Sequence, residues 1–78
     1  MNEKQQMHLQ RIEMRFPSRT KLNQGQMLEC INKSRSTFKR LIDSNKLHLL
    51  PKFIVINGKN DYKSYEFDIF DIAEFLSN

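Results

Sequence analysis

The chain has no tryptophan, one cysteine, two glycines and two prolines in 78 residues. Each scarcity excludes something. A lone cysteine forms no internal disulfide and no multi-cysteine zinc site. Cys30 falls on the apolar side of a helical pattern, so a buried thiol is expected there rather than a nucleophile or redox sensor. Gly58 has no second glycine nearby and no helix directly after it, which removes the reading of a glycine-rich phosphate loop. His8 and His48 have no ligand or acid–base partners close in sequence. Asp68 and Asp71 are better explained as helix capping and solvation than as a catalytic pair. No apolar run is long enough to cross a bilayer, and no signal-peptide core is present. A reducing cytoplasm is the expected compartment. A chain this short makes one small domain with little room for an enclosed pocket. With no convergent acid, base, nucleophile or metal ligands, neither catalysis nor a cofactor nor a metal is expected.

What is present is charge, unevenly spread. The formal net charge is +4. Residues 1–32 carry +2, residues 33–63 carry +6, and residues 64–78 carry −4 with no base at all. A basic middle and an acidic end suit a polyanion on one side of the molecule only.

The basic middle overlaps the stretch Asn23–Asn45. Asn23 is a good N-cap, and Gln26 stands three residues on, where it can close a capping box. Met27, Cys30 and Ile31, widened by Leu28, form a helical apolar stripe. Gly25 weakens the first turn, so packing must hold this helix. Asn32 tolerates a left-handed backbone and suits the stop. Ser34 caps a second helix from about Arg35 to Ser44. The spacing therefore predicts two helices joined by the turn Asn32-Lys33-Ser34. In the second helix Phe38, Leu41 and Ile42 face inward, and Arg35, Ser36, Lys39, Arg40 and Asp43 are left outside. The first turn of such a helix is the part that enters a major groove. Arg35 suits guanine, Ser36 a base edge, and Lys39 and Arg40 a base or a phosphate. Taken alone, the same charges would read as a solvated face; the flanking chain favours contact with DNA.

Residues 1–10 are polar and read as a frayed tail. Over 12–16 two patterns compete: a strand with Ile12, Met14 and Phe16 alternating, and a helix through 3–15 with Leu9, Ile12 and Phe16 on one side. Residues 1–19 are accordingly an arm, partly flexible, and 20–78 the domain proper. Arg15, Arg19 and Lys21 lie in reach of phosphate, though a solvated loop is the plainer reading. Leu22 staples the first helix from outside. Leu47, Leu49, Leu50 and Pro51 form an apolar linker expected to seal the core. Phe53–Asn57 reads as a strand, Asn57-Gly58 as a hairpin signal, and Tyr62–Phe67 as the returning strand. The polar tip places Lys59, Asn60 and Lys63 for the DNA backbone or the minor groove. Asp68 caps a last helix with Ile69, Ile72, Ala73 and Leu76 inward. Its acidic side should turn away from DNA, and the surplus aromatic Phe70 suits a protein partner.

This order of elements resembles the excisionase-like and AlpA-like DNA-binding domains, a branch with a MerR-type winged helix. The resemblance runs over residues 22 to 76. Its carriers are Leu22 with the Asn23 cap, SRSTFKRLI at 34–42, Lys46-Leu47 with Pro51, the two strands, and Phe67, Asp71, Ile72, Phe75 and Leu76. Lys33 departs from it, standing where the family usually has an apolar residue, and the wing has fewer arginines than usual. The resemblance implies a small α+β winged helix-turn-helix: two helices, a two-stranded wing, a C-terminal helix, and an extra N-terminal strand or helix. It implicates Ser34, Arg35, Ser36, Thr37, Lys39 and Arg40 in reading DNA, with Lys59 and Lys63 on the wing. It further implies a mobile-element accessory factor of recombination or a transcriptional regulator. The footprint is small, so a homodimer or cooperative oligomer on double-stranded DNA is expected. The alternative is a protein-interaction adaptor or antirepressor on the same scaffold.

Overall fold

The computed structural model describes residues 2–59 and 62–78. Among these it is a small α+β structure of four α-helices and a three-stranded antiparallel sheet. In chain order come α1 (Glu3–Arg15), β1 (Lys21–Asn23), α2 (Gln24–Ile31) and α3 (Arg35–Asp43). A 3-10 turn (Leu47–Leu49), β2 (Ile54–Asn57), β3 (Lys63–Asp68) and α4 (Ile69–Ser77) follow. The sheet order is β1-β3-β2.

The N-terminal segment is a helix where a frayed tail was expected. Of the two patterns over 12–16, the helical one is adopted. A capping box starts α1: Gln5 N–H donates to Asn2 Oδ1 at 2.8 Å, and Asn2 N–H donates to Gln5 Oε1 at 3.2 Å. Packing then holds it, because α1 lies along α4. Ile12 is buried, and Leu9 and Phe16 pack against the same core. An isolated 13-residue polar helix would be marginal in water, so this tertiary contact decides the outcome.

A second difference is β1. Leu22, which precedes the Asn23 cap and is buried in the same core as Met27, sits in a strand, opposite Phe67 of β3. The expected two-stranded hairpin is thereby part of a three-stranded sheet. Lys21 pairs Asp68 in register, and their side chains form an ion pair at 3.7 Å. Asn23 ends β1 and caps α2 at once: Gln26 N–H donates to its Oδ1 at 2.8 Å.

The hairpin forms, but not by a tight Asn-Gly turn. Neither Asn57 nor Gly58 has positive φ. Asn57 pairs Lys63, so the connection spans 58–62, and Gly58 N–H donates to the Tyr62 carbonyl at 2.6 Å. The returning strand accordingly begins at Lys63 rather than Tyr62.

Alternation along the sheet sets which residues meet the helices. Phe67 is fully buried, and the Phe38 ring of α3 meets Tyr65 edge-on at 5.2 Å between centroids and Phe67 at 6.3 Å. Phe53 packs on the same two rings at 5.4 and 5.6 Å. Leu50 and Pro51 are buried beside this cluster, whereas Leu47 and Leu49 of the linker are exposed, so only half of that segment seals the core. The last helix is capped by Asp68, whose Oδ1 accepts from Phe70 N–H at 2.8 Å, and it buries Ile69, Ile72 and Ala73.

Ile12→Ala should lower stability by about 2–5 kcal/mol, read from the urea midpoint at unchanged slope. A frayed N-terminal tail would give no change.

Candidate nucleic-acid interface

The interface candidate is built on how α2, its turn and α3 are fixed. Asn32 takes the left-handed conformation at φ 58°. Lys33 N–H then donates to the Leu28 carbonyl at 3.1 Å, the six-to-one bond of a Schellman ending. Lys33 is the position whose side chain usually packs back on such an ending. Here it is exposed, which accounts for a lysine being tolerated. Ser34 starts α3 by accepting from Thr37 N–H at 3.2 Å, and its Oγ also lies 3.0 Å from Thr37 Oγ1. α3 ends in the same manner as α2. Asn45 has φ 57°, Asn45 N–H donates to Ile42, and Lys46 N–H donates to Leu41. Ser44 adds a hydroxyl bond to the Arg40 carbonyl at 2.6 Å. Asparagines therefore serve the left-handed positions that a glycine-richer chain would fill with glycine.

With its ends fixed, α3 is oriented by its apolar side. Phe38 is buried, and Leu41 and Ile42 pack partly buried on the core. The opposite side chains Arg35, Ser36, Lys39 and Arg40 are exposed. Ser36, Lys39 and Arg40 share one shallow outward surface with Asp43 and Ser44. Ser34 and Arg35 instead line a neighbouring groove with Asn23, Gly25, Gln26 and Lys33. Among the described residues none of Arg35, Lys39, Arg40, Lys59 and Lys63 forms an ion pair. The arm does not occupy this face, since α1 lies along α4.

Two of the expected reading residues have local work. The Ser34 and Thr37 hydroxyls are bonded to each other and to the start of α3, so they are structural caps first. Lys59 and Lys63 are exposed at the turn end of the hairpin, apart from the α3 surface. Asn60 lies outside the described residues. Two contributors escaped the sequence reading. Lys33 adds an exposed cation at the turn. Gly25 of α2 lies beside Arg35, and a methyl group there would meet the Arg35 guanidinium at 3.7 Å, an ordinary contact. Lys33 was legible as a charge beside the Asn32 stop; the closeness of Gly25 to Arg35 had no local signal, because it joins two helices.

Cys30 is half-buried rather than buried, near Arg15 and Glu29. Burial raises its thiol above the ordinary value, opposed by Arg15 and helped by Glu29. Arg15 and Glu29 form an ion pair at 3.2 Å that ties α1 to α2; both side chains are largely exposed, so it adds little stability.

Gly25→Ala should raise stability by about 0.5–1 kcal/mol in thermal or urea unfolding, because the methyl group meets only ordinary contacts and glycine is a poor helix former. The Cys30 thiol should alkylate more slowly at neutral pH than in the urea-unfolded chain, and its rate should rise only at a pH above that of the unfolded thiol. Equal rates in the two states would contradict the shift.

Comparison with family models, with curated proteins and with solved structures returns no match for this chain.

Proposed function

We propose that this chain is a winged helix-turn-helix protein that binds double-stranded DNA sequence-specifically and without catalysis. In this reading α2 and α3 are the helix-turn-helix, and β2 and β3 with their connection are the wing. The observation that carries it is the outward face of α3. Arg35, Ser36, Lys39 and Arg40 are exposed, while Phe38 on the opposite side is buried. A helix presented this way enters a major groove by its first turn, where Arg35 and Ser36 meet base edges and Lys39 and Arg40 meet bases or phosphates. Ser34 and Thr37 set the helix's start. Lys59 and Lys63 grip the backbone from the wing. The acidic α4, with Asp71 and Glu74, faces a different neighbour. By its resemblance to excisionase-like and AlpA-like domains, the protein is an accessory factor of mobile-element recombination or a transcriptional regulator, acting in the cytoplasm.

A second reading has one observation in its favour. A cleft of 530 Å³ lies between the 3-10 turn and α4, with Leu47, Leu50, Phe53 and Phe75 in its lining and Asp71 and Glu74 beside them. An adaptor or antirepressor would use it to hold a protein segment. Among the described residues no helix is long and apolar enough to cross a membrane.

Selection of bound sites from a random duplex library supplies the target. Affinity for that target should then fall steeply with added salt, whereas docking through the apolar cleft would hardly change. Arg35→Ala should cost about 1–3 kcal/mol on the selected site and relax base preference at one position. Lys59→Ala should weaken selected and random duplexes alike and reduce the salt slope by about one. Equal losses on both duplexes for both variants would overturn the division between reading helix and gripping wing.

A further inference from the structure

β2 is the outermost strand of the sheet, and its free edge is unusually undefended. Ile54, Val55 and Ile56 are 57%, 43% and 44% exposed. Edge strands are normally blunted by a lysine, a proline or a bulge. From Phe53 to Asn57 there is no charge and no proline, and the pairing to β3 runs residue for residue. The opposite edge differs. β1 has three residues, two of them polar and exposed, and it runs directly into α2. Asn23 is already committed to the α2 cap.

We propose that β2 is a self-association edge, where two copies of this chain pair their β2 strands antiparallel about Val55. In that register Ile54 meets the second copy's Ile56, Phe53 meets its Asn57, Lys52 meets its Gly58 and Lys59 meets its Pro51. The three exposed apolar residues cover one another, and no two like charges are opposed. A one-residue slip would set the core-facing side chains of one copy on the solvent face of the other. The two remaining outer edges are then β1 edges, so pairing stops at two copies. A four-residue strand pair covers less than the roughly 800 Å² per partner of a standard interface, so the free dimer is weak and concentration-dependent.

The two-fold axis stands perpendicular to the joined sheet, so both copies keep the same face on the same side. α3 lies on the face of Tyr65 and Phe67. Both α3 helices therefore share one side of the dimer. This consequence, and only this one, rests on the DNA reading: the preferred target is an inverted repeat.

The test is analytical ultracentrifugation of the full chain without DNA, over a concentration series into the high-micromolar range. Ile54 and Ile56 stand opposite Glu66 and Ser64 on the exposed side, so both positions accept charge, and thermal melts followed by circular dichroism verify folding. I54K/I56K sets lysines against lysines across the axis and should weaken self-association at least about tenfold. I54K/I56E sets opposite charges together across the axis and should retain it. A wild-type chain that stays monomeric throughout would overturn the proposal and leave the edge to a strand of another protein. Self-association insensitive to I54K/I56K would overturn it too, and loss in both variants would overturn the Val55-centred register. Binding of I54K/I56K to a duplex carrying a single half-site is measured separately, so failure of the dimer and failure of the DNA reading appear in different experiments.

Discussion

Phe67 is the side chain that the rest of the structure leans on. It is fully buried on the central strand, opposite Leu22 of β1, with the rings of Phe38 and Phe53 against it. A small domain has little apolar surface to spend, and aromatic rings cover the most area per residue. One ring thus ties the N-terminal strand, the basic helix α3 and the approach to the hairpin to a common point. Through Phe38, the orientation of α3 is set by the sheet rather than by α2 alone.

The caps complete that orientation. Asn23, Ser34 and Asp68 each accept a backbone N–H at a helix start. Asn32 and Asn45 each close a helix end in the left-handed region. Each cap is worth about 1 kcal/mol, a large fraction of the margin of a domain this size. Helices of eight and nine residues would not persist without both the caps and the packing. What emerges is a short rigid rod, α3, whose buried side is fixed and whose charged side is free.

Charge follows the same division. Lys33, Arg35, Lys39, Arg40, Lys59 and Lys63 lie on α3, at the turn before it and at the hairpin end, whereas the only charges on α4 are the acidic Asp71 and Glu74. α1 lies along α4 and leaves α3 open. Under the proposed function, the α3 side would be the one that meets a polyanion. The proposed reading rests on the outward face of α3, whereas the edge-strand pairing rests on the free edge of β2, so each has its own observation.

Much of the local structure was legible in the residues themselves. The Asn23 and Ser34 caps, the Asn32 stop, the inward set Phe38, Leu41 and Ile42, and the Asp68 start of α4 all depend on neighbours within about four positions, where side-chain and backbone chemistry acts directly. The exposed set Arg35, Ser36, Lys39 and Arg40 follows from the same period. Other features depended on distant partners. The stretch 12–16 fits a strand or a helix until Leu9, Ile12 and Phe16 meet the common core beside α4. Leu22 is a strand residue only because Phe67 lies opposite. The bareness of the β2 edge and the closeness of Gly25 to Arg35 exist only once the elements are assembled. Hydrogen bonds and periodicity inside a segment were determined by the sequence alone; pairing and exposure between segments were decided by the tertiary structure, because they depend on which surfaces the rest of the chain has already covered.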